Sequence, residues 1–183
     1  MNAPDPTDLD FTLLTEESSP PAPVREIPTP LDEQESLIGE QALGTEGFHV
    51  IAARRGLASA PNGVVLVVDD DLPTAELAAR VLRRAGFSAA VAGSPKDAAR
   101  HMNELGPPAL ILLDIEMPGM NGFEFLGRMR QNRRLKDTPV ILFTALAERR
   151  HVVRGLLAGA DGYVAKPITG TALVAAVKTV LNP

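Results

Sequence analysis

The residues from Asn62 onward read as an α/β protein: a doubly wound sheet of five parallel strands, with helices on both faces. Three observations predict it. Short apolar runs alternate with helix-period patterns five times in residues 62–183. The strongest runs, "VVLVV" and "ALILL", carry no polar interruption, as strands buried on both faces require. The connections suit parallel crossovers, which are right-handed almost without exception and place helices on the sheet faces.

Each element has its own justification. Residues 64–68 form the first strand. Pro73 then opens a helix in which Leu77, Ala78, Val81, Leu82 and Ala85 share a face, and Gly86 stops it. "FSAAVAGS" is a weaker second strand, and residues 95–105 a second helix ending at Gly106. The third strand is 109–113. The helix after it starts at Gly122 and buries Phe123, Leu126 and Met129. "VILF" (140–143) is the fourth strand. A fourth helix over 148–158 turns Val152, Val153, Leu156 and Leu157 inward, with Gly159 behind it. "YVAK" is a short fifth strand, and Leu173, Val174, Val177, Val180 and Leu181 mark the last helix.

The first third of the chain is different. Residues 1–36 hold seven of the 16 prolines, many acids and few large apolar groups, so they are expected to be a disordered acidic arm. Residues 37–61 are ambiguous between a linker and a partly ordered docking segment. "SLIGEQALG" could be a short helix and "FHVIAA" a short strand, although Gly39, Gly44 and Gly47 weaken both. Residues 1–61 carry 11 acids and 3 bases, whereas residues 62–183 carry 12 acids and 15 bases, so the two parts differ in charge sign. The chain has no cysteine, which excludes disulfides and thiolate metal sites. The start "MNAPDPTDLD" lacks a signal-peptide pattern, and no apolar run approaches the roughly 20 residues that cross a bilayer. A cytoplasmic protein without a membrane partner is the expectation.

Sites in open α/β sheets form at the carboxyl ends of the strands. There the first strand ends in Asp69, Asp70 and Asp71, the third in Asp114, the fourth in Thr144 and the fifth in Lys166. One Asp after a strand is commonly a turn former or cap, and Asp71, just before Pro73, reads as a cap with a third metal ligand as the alternative. The conjunction of all four strand ends says more. A carboxylate capping a greasy strand is costly unless a cation meets it. Crowded carboxylates raise one another's pKa until a cation neutralises them. An oxygen-only donor set calls for a hard ion, Mg²⁺ or Mn²⁺. A carboxylate beside such an ion can attack phosphorus, and a transferred phosphoryl group needs metal, ammonium and hydroxyl donors around it. Asp114, isolated from the acid cluster, is the nucleophile candidate, with Lys166 and Thr144 as the donors.

The motifs "VLVVDDD", "LILLDIEMPGMNGFEFL", "PVILFTA" and "GADGYVAKPI" resemble the receiver domain of bacterial two-component response regulators, similar to the single-domain chemotaxis regulator. The resemblance spans residues 62–183 in the family's order. It implies a flavodoxin-like strand order, 2-1-3-4-5. It implies Asp114 as phosphoacceptor, Asp69 and Asp70 as the acid pair, and Mg²⁺ held by Asp70, Asp114 and the backbone carbonyl of Glu116. Thr144 then matches the switch hydroxyl, Tyr163 the aromatic switch and Lys166 the phosphate-binding lysine, with a cis bond to Pro167. It implies a histidine kinase or phosphotransfer protein as donor, slow self-catalysed phosphorylation and dephosphorylation rather than enzyme turnover, and an output face made of the fourth helix, fifth strand and fifth helix.

No output domain is expected after residue 183 and no DNA-binding pattern is seen, so output is expected through protein contact, without nucleic acid. Homodimerisation through the fourth-helix side is left open. Glu116 and Leu146, beside the pocket, are expected to tune the phosphoryl lifetime. His101, His151 and the arginines Arg149, Arg150 and Arg154 are expected to face solvent, the arginines having docking as a second reading. Ala172, Ala175 and Ala176 could let a partner pack closely. The arm could be a tether, a self-inhibitory segment over the basic fourth helix, or inert. Two rivals stand beside this reading: a degenerate receiver used only for docking, and a phosphohydrolase of haloacid dehalogenase type. Intact Asp69, Asp70, Asp114, Thr144 and Lys166 weigh against the first. The second expects the nucleophile after the first strand and a substrate cap, and neither is found.

Overall fold

The chain alternates strand and helix from Val64 to Leu181 because each apolar run is too short to bury itself and must be covered on both faces. The structure is a computed structural model that describes residues 48–50, 63–146 and 149–181. The arm 1–36, the "SLIGEQALG" helix, the rest of the 37–61 segment and the start of the fourth helix at Glu148 lie outside the described residues. In chain order the elements are β1 (Phe48–Val50), β2 (Val64–Val68), α1 (Leu72–Arg84), β3 (Ser88–Ala92), α2 (Pro95–Leu105), β4 (Leu110–Leu113), α3 (Gly122–Gln131), β5 (Val140–Thr144), α4 (Arg149–Leu157), β6 (Gly162–Ala165) and α5 (Gly170–Leu181).

Strands β2 to β6 are the five expected strands, all parallel, and their order β3-β2-β4-β5-β6 is the expected 2-1-3-4-5. The sheet carries one more strand than expected. β1 adds to the β6 edge in antiparallel register, with Phe48 opposite Val164, His49 opposite Tyr163 and Val50 opposite Gly162. The described part of "FHVIAA" is therefore a strand.

Alternation along the strands divides the core into two layers. Val65, Val67, Leu110 and Leu112 face α1 and α5, whereas Leu66, Val68, Ile111 and Leu113 face α2, α3 and α4. All eight are completely buried. The helix starts carry the chemistry their sequences advertise. Asp71, Ser94 and Asn121 cap α1, α2 and α3, each side chain accepting a backbone N–H in the first turn.

Several side chains differ from expectation. The buried stripe of α1 is Ala75, Ala78, Ala79 and Leu82, so Leu77 and Ala85 fall outside it and are exposed. A 3.6-residue period allows stripes one position apart, and only the neighbouring helix chooses between them. Leu157 of α4 is likewise exposed. Ala172 and Ala176 are buried in the core, so they are not available to a partner, while Ala175 is half-buried. His101 and His151 are half-buried rather than solvent-facing. His101 Nε2 and His151 Nδ1 are enclosed without a hydrogen-bond partner among the described residues. Arg154 lies over the ring of Phe123, 4.4 Å from its centroid, instead of forming a fully solvated face.

Candidate functional site

The parallel ladder continues past the strand ends and so fixes the backbone of the site residues. The N–H of Asp69 donates to the carbonyl of Ala92, that of Asp114 to Val68, and that of Lys166 to Thr144, at 3.1, 2.9 and 2.8 Å. Residues from four strands are thereby aimed at one rim.

Lys166 Nζ donates to Asp69 Oδ2 at 2.5 Å and to Asp114 Oδ1 at 3.0 Å. Asp69 and Asp114 are both buried, at 1% and 6% exposure, whereas Asp70 is exposed. Such burial of carboxylates demands a counter-charge. The ammonium supplies it, and it also sits 4.9 Å from the ring centroid of Phe143. Asp69 further accepts the N–H of Asp71 at 3.0 Å. Burial pushes the Asp69 carboxyl above its ordinary range despite Lys166, which pulls it down. For Lys166, burial acts to lower the ammonium's pKa, but the Asp69 hydrogen bond and the Asp114 charge outweigh it and hold it above its usual value.

Carboxylate oxygens of Asp69, Asp70 and Asp114 all lie within 4.8 Å of one another. Three carboxylates at that separation, with an oxygen-only donor set, fit a hard divalent cation. Asp71 is not in this cluster. Its Oδ1 accepts the N–H of Thr74 at 3.4 Å and its Oδ2 the Thr74 hydroxyl at 2.7 Å, which makes it the cap of α1. Glu116 is exposed in the loop that follows Asp114.

Thr144 ends β5 and is completely buried. Its Oγ1 accepts the N–H of Leu146 at 3.3 Å. Tyr163 is also buried, and its hydroxyl donates to the carbonyl of the same Leu146. The Leu146 backbone thus joins the two residues expected to act as switches. Burial pushes the Tyr163 hydroxyl far above its ordinary pKa, and the charges of Asp114 and Glu116 add to that, so it stays a donor. The Lys166–Pro167 bond is cis, as expected.

Some contributors were not visible beforehand. Gly122 opens α3 against the loop that carries Asp114: a Cβ there would stand 2.1 Å from the Asp114 carbonyl oxygen. Gly155 lets α4 close on the switch, since its Cβ would meet Leu142 Cδ1 at 2.4 Å and the Tyr163 ring at 3.3 Å. The "MPGMNG" stretch contained a signal for the first. A glycine inside the fourth helix was the sole signal for the second.

Comparison with known proteins agrees with this geometry. The response regulator receiver domain matches residues 65–178, and the chain belongs to that family, whose domains act in two-component phosphorelay signalling. It is 38% identical over 118 residues to the phosphate regulon transcriptional regulatory protein PhoB of Escherichia coli, covering 64% of this chain and 51% of PhoB. It is 42% identical over 118 residues to the DNA-binding response regulator MtrA of Mycolicibacterium smegmatis, covering 64% of this chain and 50% of MtrA. The chain therefore spans about half the length of the curated relatives it matches. Among solved structures it resembles the Vibrio cholerae chemotaxis protein CheY4, at 28% identity and a TM-score of 0.61 over 65% of this chain and 98% of that one. A response regulator from Chloroflexus aurantiacus matches at 33% identity and a TM-score of 0.62, covering 66% and 98%. Receiver domains are phosphoacceptors that bind Mg²⁺ at an acidic pocket, and the Asp69, Asp70 and Asp114 cluster has that composition. Among the described residues, no helix is long and apolar enough to cross a membrane.

Proposed function

We propose that this chain is a phosphorylation-controlled switch in which Asp114 accepts a phosphoryl group from the histidine of a kinase or phosphotransfer protein. One observation carries the reading: a single lysine ammonium is hydrogen-bonded to carboxylates from two separate strands, Asp69 and Asp114. That arrangement offsets part of the acid cluster's charge and leaves a cation in place for phosphoryl oxygens.

Asp69, Asp70 and Asp114, with the Glu116 carbonyl as a further ligand, would hold Mg²⁺ or Mn²⁺. When bound, the ion neutralises the acid cluster and the charge on the phosphoryl oxygens. A P–O bond to an Asp114 carboxylate oxygen forms as the P–N bond of the phosphohistidine breaks, and the departing imidazole keeps its electron pair. Lys166 then pairs with a phosphoryl oxygen and Thr144 donates its hydroxyl to another. Turning Thr144 toward the phosphoryl group disturbs its hydrogen bond with Leu146, whose carbonyl also holds Tyr163. The phosphorylation state is thus transmitted to α4, β6 and α5, the face assigned to protein partners. Hydrolysis of the acyl phosphate resets the switch, with Glu116 and Leu146 governing water access.

The organisation that goes with this reading is an acidic Pro-rich arm at 1–36, a linker or partly ordered docking segment at 37–61 and a receiver at 62–183. The output in this reading is contact with a protein target. The test is labelling by a small phosphodonor such as acetyl phosphate. Mg²⁺-dependent, acid-stable and base-labile incorporation, lost in Asp114→Asn, is expected. Labelling that survives Asp114→Asn, or turnover of simple phosphomonoesters, overturns the assignment.

A further inference from the structure

An ammonium on a four-carbon stem is a mobile charge, and it carries three N–H donors. Asp69 Oδ2 and Asp114 Oδ1 take two of those of Lys166. No third acceptor for Nζ is found among the described residues. Its other neighbour is an aromatic face: Nζ stands over the ring of Phe143, 4.9 Å from the centroid. The phosphoryl-transfer chemistry gives that ring no part. Phe143 precedes Thr144 on β5 and is buried in the apolar layer that faces α1 and α5. It is in register with Val164, two residues before Lys166, the spacing that returns a side chain to the same face of a strand. The Lys166 N–H, bonded to the Thr144 carbonyl, starts the stem beside the end of β5.

We propose that Phe143 is a positioning residue for phosphoryl transfer: its ring face holds the Lys166 ammonium at the rim while the hydrogen bond to Asp114 is exchanged for one to the phosphoryl group. The inference rests on the phosphoacceptor reading. Its physical basis is the ring quadrupole, which attracts a cation without carrying a net charge. A further carboxylate in that place would compete with the phosphoryl oxygens for the N–H donors. An aliphatic side chain of similar size would fill the space and attract nothing. The ring supplies an attraction that does not depend on which oxygen the ammonium is bonded to, so the charge stays put as its acceptor changes. The effect is strongest where the cation is shielded from water, and the Lys166 side chain is only 17% exposed.

The test replaces Phe143 in the full chain by phenylalanines carrying two or three ring fluorines, and separately by Leu. Fluorine withdraws negative charge from the ring face and changes its volume little, so the variants separate electrostatics from packing. Labelling of Asp114 by acetyl phosphate in Mg²⁺ is timed. The rate is expected to fall with each added fluorine, and to fall about three- to tenfold in Phe143→Leu. A spectroscopic reading accompanies it. The chain has four lysines, so the Lys166 ε-methylene resonance can be assigned through Lys166→Arg. The ring current should displace that resonance from those of the other three, and Phe143→Leu should return it to them. A rate that stays flat across the fluorinated chains overturns the proposal, even where Phe143→Leu is slow, because that pattern marks packing alone. A Lys166 resonance that Phe143→Leu does not move overturns it as well. Wild type that takes no label refutes the phosphoacceptor reading and the role of Phe143 with it, whereas label with a flat series refutes the role of Phe143 only.

Discussion

Lys166 is the residue on which the site's electrostatics turn. Replacing it with Ala leaves two buried carboxylates without their shared counter-charge. We expect phosphorylation from a small donor to slow by about 100-fold, as when one preorganised donor is lost from a site where charge develops. Time courses of acid-stable labelling would show it, and a rate within a factor of two of wild type would remove Lys166 from the chemistry. Asp71 gives a pH signature of its own. The Thr74 hydroxyl, and then the Thr74 N–H, hold its carboxyl below the ordinary value of 3.8. A folded pKa below the unfolded one means the stabilisation is complete above 3.8 and disappears as pH falls through the lowered value. Thermal melts of wild type and Asp71→Asn should therefore differ at about pH 6 and converge toward about pH 2. A gap that persists into acid would show that the Asp71 charge is not what stabilises α1.

Helix α3 contains two glycines with opposite demands. Gly127 has no heavy atom within 4 Å of where a Cβ would stand, so Gly127→Ala should stabilise by about 0.5–1 kcal/mol through helix propensity alone. At Gly122 the Cβ would lie 2.1 Å from the Asp114 carbonyl oxygen and 2.9 Å from Ile115 Cα, both backbone atoms that cannot swing aside. Gly122→Ala should destabilise despite the same propensity gain, and should move the loop that aims Asp114. Chemical denaturation of the two variants side by side gives opposite signs of change, and an equal sign would refute the close approach. Among the caps, Ser94 accepts the Asp97 N–H at 3.0 Å and donates its hydroxyl to the Asp97 carboxylate at 2.8 Å. The same denaturation measurement should show Ser94→Ala losing about 1 kcal/mol.

Across the whole molecule, the segments before β5 and β6 are tied to α3 by one side chain. Arg130 donates to the carbonyls of Gly159 and Thr138 at 2.8 Å each and to Asp161 Oδ2 at 3.1 Å. Asp161 in turn accepts the N–H of Val140 at 2.9 Å. Both side chains are largely buried, so removing one strands the other. Arg130→Ala should cost about 3 kcal/mol, and Arg130→Lys should recover little, because an ammonium cannot present that fork. Equilibrium unfolding tests both, and full recovery by lysine would mean that charge alone matters.

What the sequence determined by itself was whatever depends on local chemistry and period. Continuous apolar runs marked five strands, caps and glycines bounded the helices, and polar residues at strand ends named Asp69, Asp70, Asp114, Thr144 and Lys166. Those marks are readable because they lie within a few residues of the element they define. Tertiary structure decided what involves a backbone atom far along the chain or a choice between equivalent faces. The Leu146 carbonyl that meets Tyr163, the Asp114 carbonyl that requires Gly122, and the Gly159 carbonyl that binds Arg130 leave no side-chain pattern, since every residue has a carbonyl. Tertiary structure also exposed Leu77, which the sequence reading places on the apolar face of α1, and it paired Phe48–Val50 with β6. Periodicity says that a face or a strand exists, and only the packed neighbour says which way it points and what it joins.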